Sequence, residues 1–108
     1  MEARASLKNI RISFQKMQPI AKMVRGEPLA VALARLRFTP KKGARLLQKV
    51  LESARSNAFE KQIDVDNLKV KSVCVDKGPT MFRIMTRQRG MAHRIQKRTS
   101  HISVVLED

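Results

Sequence analysis

Between Lys77 and Leu106 the chain runs for thirty residues without an Asp or Glu, and seven of them are Lys or Arg: Lys77, Arg83, Arg87, Arg89, Arg94, Lys97 and Arg98. Two β-rich runs flank this stretch, Leu68, Val70, Val73 and Val75 before it and Ile102, Val104, Val105 and Leu106 at its end. Antiparallel pairing of the two runs turns everything between them into one long hairpin. Its midpoint falls at Gln88 to Gly90, where Arg89-Gly90 supplies turn chemistry. Each arm from 77 to 101 then holds about twelve residues, a reach of ~40 Å at ~3.3 Å per residue. That exceeds the ~13 Å gyration radius of a domain this size. The outer ribbon therefore has no core of its own to pack on, and a lone two-stranded ribbon is marginal in water. It needs an outside anion to order it. A polyanion such as RNA fits, because each Lys or Arg set on a phosphate releases condensed counterions.

The remaining composition agrees with that partner. The chain has 108 residues and a formal charge of +14, from 23 Lys plus Arg against 9 Asp plus Glu. A field of that sign favours nucleic acid or an anionic membrane. Hydrophobic content of 43% permits a core, and the length fits a single domain over residues 1–108, its hairpin included at about 77–101. Tyr and Trp are absent and only four Phe are present. Single-strand binders that stack bases on aromatics are thereby disfavoured, and folded RNA read through phosphates and shape is favoured. The lone Cys74 excludes an internal disulfide and points to a reducing compartment; between Val73 and Val75 it is expected to be a buried structural thiol. No apolar run approaches the ~20 residues of a membrane span. Met1-Glu2-Ala3-Arg4 lacks a signal-peptide core, so a cytoplasmic, unprocessed chain is expected.

Upstream the pattern is helical. A short strand is expected within residues 3–12, which contain Leu7, Ile10 and Ile12. Ser13 is placed to cap a first helix with Phe14, Met17, Ile20, Ala21 and Val24 at helical spacing, and Gly26 suits its stop. Pro19 interrupts the pattern: either the helix kinks there or its regular part begins near it. Pro28 suits the first turn of a second helix carrying Leu29, Ala32, Leu33 and Leu36. Thr39-Pro40 reads as the start of a third helix, joined to the second by two residues. Its stripe is Leu47, Val50, Leu51, Ala54 and Ala58.

Catalytic chemistry finds little support. The nine acids are scattered, and Asp64 and Asp66 suit a polar turn or cap better than a metal site. His93 and His101 have no neighbouring Cys or acid to complete a ligand set. Glycines at 26, 43, 78 and 90 match no phosphate loop. No metal, cofactor or enzymatic activity is expected. Met17 and Met23 belong to a core pattern, whereas Met81, Met85 and Met91 lie in the basic ribbon, where they could brace its arms or fill gaps against RNA. Gly78-Pro79 marks where the strand leaves the sheet.

At these residues a resemblance becomes specific. Val75-Asp76-Lys77-Gly78-Pro79-Thr80-Met81-Phe82-Arg83-Ile84-Met85, and Gly90 followed by Arg94-Ile95-Gln96-Lys97-Arg98-Thr99-Ser100-His101-Ile102, resemble the signature of the large-subunit ribosomal protein family numbered twenty-two, of bacterial type. Ser13-Phe14-Gln15-Lys16, Val24-Arg25-Gly26 and Val50-Leu51-Glu52-Ser53-Ala54 with Asn57-Ala58 are similar to its upstream blocks, so the likeness spans nearly the whole chain. Two positions depart from the pattern: Pro19 replaces an ordinary helix former, and Phe82 stands where many members carry Lys or Arg.

The resemblance implies an α+β fold, a three-stranded antiparallel sheet packed on three helices with a long extended β-hairpin. It implies a scaffold that binds large-subunit rRNA, aids assembly and touches neighbouring ribosomal proteins. The hairpin tip, here Arg87, Gln88, Arg89, Gly90 and Met91, would line the exit tunnel beside the nascent peptide. Residues expected on rRNA are Lys16, Lys41, Lys42, Arg83, Arg94, Lys97, Arg98 and His101. Neither a membrane nor a second copy of the chain is an expected partner. The competing reading is an architectural DNA-binding protein that lays the basic ribbon in a groove. A membrane-active peptide fits less well, because the apolar helical faces are committed to a core.

Overall fold

The computed structural model describes residues 1–86 and 88–108. Strand β1 (Glu2–Ile10) leads into helices α1 (Phe14–Val24), α2 (Leu29–Arg37) and α3 (Lys42–Glu60). A 3-10 turn (Val65–Asn67) precedes β2 (Lys69–Lys77), β3 (Met81–Thr86), a second 3-10 turn (Gln88–Gly90), β4 (Ala92–Lys97) and β5 (Ser100–Glu107). The order β1-β5-β2 makes an antiparallel three-stranded sheet, and β3 pairs with β4 in a separate ribbon. The expected α+β architecture is the one observed.

Alternation along the strands decides what is buried. Val73 and Val75 on β2 and Ile102, Val104 and Leu106 on β5 point to the helices, and a register shift between Val70 and Ser72 brings Val70 to the same side. They meet Met17, Ile20, Ala21 and Val24 from α1 and the full expected stripe of α3, Leu47, Val50, Leu51, Ala54 and Ala58. The same period places Cys74 outward, and it is exposed. This corrects the expectation of a buried thiol: its neighbours Val73 and Val75 are inside because it is not.

The helix ends depart from the sequence reading at Ser13 and at Thr39-Pro40. Ser13 occupies the cap position of α1 but makes no side-chain cap bond, and the helix continues through Pro19 as a single element. Gly26 stops α1 as expected, following the C-cap Arg25 with φ +77°, and its N–H donates to the Val70 carbonyl at 3.0 Å. Thr39-Pro40 does not open α3, which begins at Lys42 after the four-residue connection 38–41. The Thr39 hydroxyl instead donates to the Arg35 carbonyl (2.8 Å), satisfying the end of α2. Asp64 caps the first 3-10 turn as expected of a turn aspartate, accepting from Asp66 N–H at 3.1 Å.

Both outer edges of the sheet are closed by hydrogen bonds, which blunts pairing with another strand. On β2, the Val70 N–H donates to the Glu27 carbonyl (2.9 Å), and the Arg25 guanidinium donates twice to the Val73 carbonyl, at 2.9 and 2.6 Å. On β1, Asn57 of α3 donates to the Arg4 carbonyl (2.7 Å) and Lys61 to the Glu2 carbonyl (3.3 Å). Glu2 also pairs with Lys71; that bond and charge hold the Glu2 carboxyl below its usual range and raise Lys71.

The hairpin extends from this body. Lys77 is still opposite Ser100, and the ladder then restarts as Met81 opposite Lys97 and ends at Thr86 opposite Ala92. At the turn Arg89 (φ 58°) and Gly90 (φ 71°) both take left-handed conformations, as the Arg-Gly step suggested. The molecule measures 62 × 25 × 16 Å, and its 16.9 Å gyration radius is well above the compact-domain value of ~13 Å.

Candidate nucleic-acid interface

Three clefts follow one another from the start of α3 to the root of the hairpin. The first, about 470 Å³, is lined by Arg11, Ser13 and Lys16 on one side and Lys41, Lys42 and Gly43 on the other. The second, about 410 Å³, shares Arg11 and Lys16 and adds Lys97 and Arg98. The third, about 320 Å³, adds Lys77 beside Arg98. Among the described residues, no acidic side chain lines any of them.

Residues far apart in sequence thus form one basic strip. Its first cleft exists because α1 and α3 approach closely at Gly43. A Cβ there would lie 2.6 Å from both Met17 Sδ and Ile20 Cδ1, so glycine lets the helices close up, with Lys41 and Lys42 beside Lys16, without displacing those two side chains. The starts of α1 and α3 both face this cleft. Neither has an acid in its first turn or a side-chain cap, so the helix dipoles add to the cationic side chains there. The structure unites Lys16, Lys41, Lys42, Lys97 and Arg98. It also adds Arg11, which the sequence reading passed over because it sits between the apolar Ile10 and Ile12.

The ribbon residues divide between two faces. Opposed residues share a face, so Arg83 and Ile95 lie on one side, with Lys97, His93, Met81 and Met85. Ile84 and Arg94 lie on the other, where the Arg94 guanidinium sits 5.6 Å from the centre of the Phe82 ring. Phe82, the departure from a basic residue, therefore supports a cation instead of supplying one. Each face mixes cations with exposed apolar groups, among them Phe82, Ile84 and Met85. Such a ribbon presents binding surface on both sides.

His101 stands apart from the strip. It lies in β5 opposite Asp76, and its Nδ1 accepts the Asn9 N–H at 3.1 Å, so one ring nitrogen serves the fold. At the tip, Arg89, Gly90 and Met91 are exposed, Met91 at 60%. Gln88 belongs to the 3-10 turn, while Arg87 lies outside the described residues.

The hairpin leaves the body through a tight crossing. The Gly78 N–H donates to the Thr99 carbonyl (3.0 Å), and the Thr99 hydroxyl donates back to the Pro79 carbonyl (2.6 Å). Lys77 lies over the Phe14 ring at 5.8 Å, tying this root to α1.

Comparison with known proteins places the sequence in a family. A family profile described as "Ribosomal protein L22p/L17e" matches residues 5–107. The chain is similar to the "Large ribosomal subunit protein uL22" of Desulfotalea psychrophila, 55% identical over 109 aligned positions that cover 100% of this chain and 99% of the relative. The proteins of the same name from Maridesulfovibrio salexigens and Solidesulfovibrio magneticus are 52% and 50% identical over the same coverage.

Proposed function

This chain belongs to the ribosomal protein L22p/L17e family, and we propose that it is an rRNA-binding scaffold whose hairpin threads large-subunit RNA and whose tip lines the peptide exit tunnel. It is a structural constituent of the large ribosomal subunit and not an enzyme. Its place is in the ribosome, in the cytoplasm, among rRNA and other ribosomal proteins. Family membership does not favour the DNA-binding alternative.

The observation that carries the RNA reading is the continuous basic strip leading onto a ribbon exposed on both faces. The body supplies a rigid anchor through the clefts at Lys16, Lys41 and Lys42. The ribbon then places Arg83, Lys97 and His93 on one wall of RNA and Arg94 on another. Contact on both faces supplies the packing that a two-stranded ribbon lacks alone. Arginine can bind a phosphate through two parallel hydrogen bonds, so the guanidinium groups hold separate RNA segments in register.

Amide hydrogen exchange tests this directly. In the isolated chain, residues 81–97 are expected to exchange within seconds while β5 and α3 stay protected. Large-subunit rRNA should protect 81–97, and the same concentration of duplex DNA should not. Equal protection by both nucleic acids would refute the RNA reading.

For the tip, charge and position make the argument. Arg89 adds a cation beside the left-handed turn, and the exposed Met91 offers a soft apolar surface to a passing peptide. A photoreactive residue replacing Met91 should crosslink to nascent chains in translating ribosomes. Crosslinks to rRNA alone would remove the tip from the tunnel wall.

A further inference from the structure

Most acidic residues lie away from the hairpin; the exception is Asp76, opposite His101 near its root. Glu2 pairs across the sheet with Glu107, at the far end of the ladder from Lys77 and Ser100. Glu60 closes α3 beside the turn that holds Asp64 and Asp66, and Asp108 follows β5. Several of these carboxylates are neutralised internally, Glu2 and Glu107 by Lys71 and Asp108 by the N-terminal ammonium. Glu52, Glu60 and Asp66 form no ion pair among the described residues, although the chain has 23 Lys and Arg against 9 acids.

Those three carboxylates line a single open cleft of about 780 Å³ between the last turns of α3 and the 3-10 turn. Its floor is apolar, made by Ile63 and Val65, and Phe59 stands at its wall with 75% of its surface exposed. Among the described residues Arg55 is the only cation on its lining, leaving a net negative surface. Glu60 lies in the last turn of α3, which has no basic residue, so it stands at the negative end of the helix dipole, where a cation is preferred. Lys61, the next residue, does not relieve it, because its ammonium reaches the Glu2 carbonyl.

RNA does not fit this cleft, since phosphates would meet three carboxylates. Water alone leaves Phe59 uncovered. A Lys- or Arg-rich segment satisfies both demands: its aliphatic stems lie along Phe59, Ile63 and Val65 while its charged heads reach Glu52, Glu60 and Asp66. We propose that the cleft between the C-terminal half of α3 and the Val65–Asn67 turn docks a basic segment of another large-subunit protein. The choice of that partner rests on the reading of this chain as a ribosomal constituent; the charge and shape of the cleft stand apart from it.

The test uses the full chain carrying p-benzoylphenylalanine in place of Phe59, assembled into large subunits in cells, purified and irradiated. The expected product is a crosslink to one large-subunit protein within a Lys- or Arg-rich stretch. The triple reversal E52K/E60K/D66K, at exposed positions outside the basic strip, should lower its yield at least tenfold without changing the amount of chain in the subunit. Crosslinks to rRNA, to a second copy or to an acidic segment would overturn the proposal. So would their absence from fully incorporated chain, or a yield indifferent to charge reversal. Failure of the chain to enter subunits would overturn the rRNA reading as well, which separates the two failures.

Discussion

Replacing Lys16, Lys41 and Lys42 together by alanine should flatten the dependence of rRNA affinity on salt by about 2.1–2.7 in the log–log slope, three times the ~0.7–0.9 expected per phosphate. Equivalently, raising salt from 50 to 200 mM should cost the native chain about 20- to 40-fold more affinity than the variant. The three side chains are exposed and line one cleft without an acid, so their loss removes no core packing. Filter binding to a large-subunit rRNA transcript at several salt concentrations measures the slope, and thermal unfolding serves as the control. A slope equal to that of the native chain, with the fold intact, would mean that the cleft does not face phosphates. Arg11 lines the same cleft, so its later removal should take away a further comparable increment.

Gly78→Ala is expected to have a large effect from a single methyl group. A Cβ at position 78 would lie 2.5 Å from Thr99 Oγ1, 3.2 Å from His101 Cε1 and 3.3 Å from the Thr99 carbonyl carbon. Thr99 is buried and its hydroxyl already serves the Pro79 carbonyl. Relief therefore requires either rotating Thr99 out of that hydrogen bond or spreading the two arms. Overpacking of this kind costs about 1–3 kcal/mol. Spreading the arms also re-aims a ribbon whose tip lies far along the 62 Å axis, so a small angular change at the root becomes a displacement of several ångströms there. Reduced denaturant stability together with weaker rRNA binding is the expected pair of results. Lost stability with unchanged affinity would show that the crossing supports the fold but does not aim the hairpin.

The local features were legible because their causes are local. The α3 stripe is fully buried as its spacing required. The turn sits at Arg89 and Gly90 because the two β-rich runs pair in the register their positions imply, Val75 opposite Ile102. Thr39 misled because a threonine before proline at a helix junction can serve either helix. Its hydroxyl went to the carbonyls that α2 leaves unsatisfied. Cys74 misled because apolar neighbours were taken as a sign of burial, whereas strand parity puts adjacent residues on opposite faces.

The edge closures could not be read at all. Arg25 is 48 residues from the Val73 carbonyl it holds, and Asn57 is 53 residues from Arg4. Nothing in the immediate surroundings of either residue signals its partner.

Taken alone, the sequence determined that this chain must present a long, acid-free β-hairpin outside a small core, because charge and strand periodicity act between near neighbours. Only the tertiary structure decided that Lys41 and Lys42 stand beside Arg11 and Lys16, and that Arg83 and Arg94 lie on opposite faces of the ribbon. The physical reason is that these placements arise from helix packing over Gly43 and from ladder register, which join segments distant along the chain.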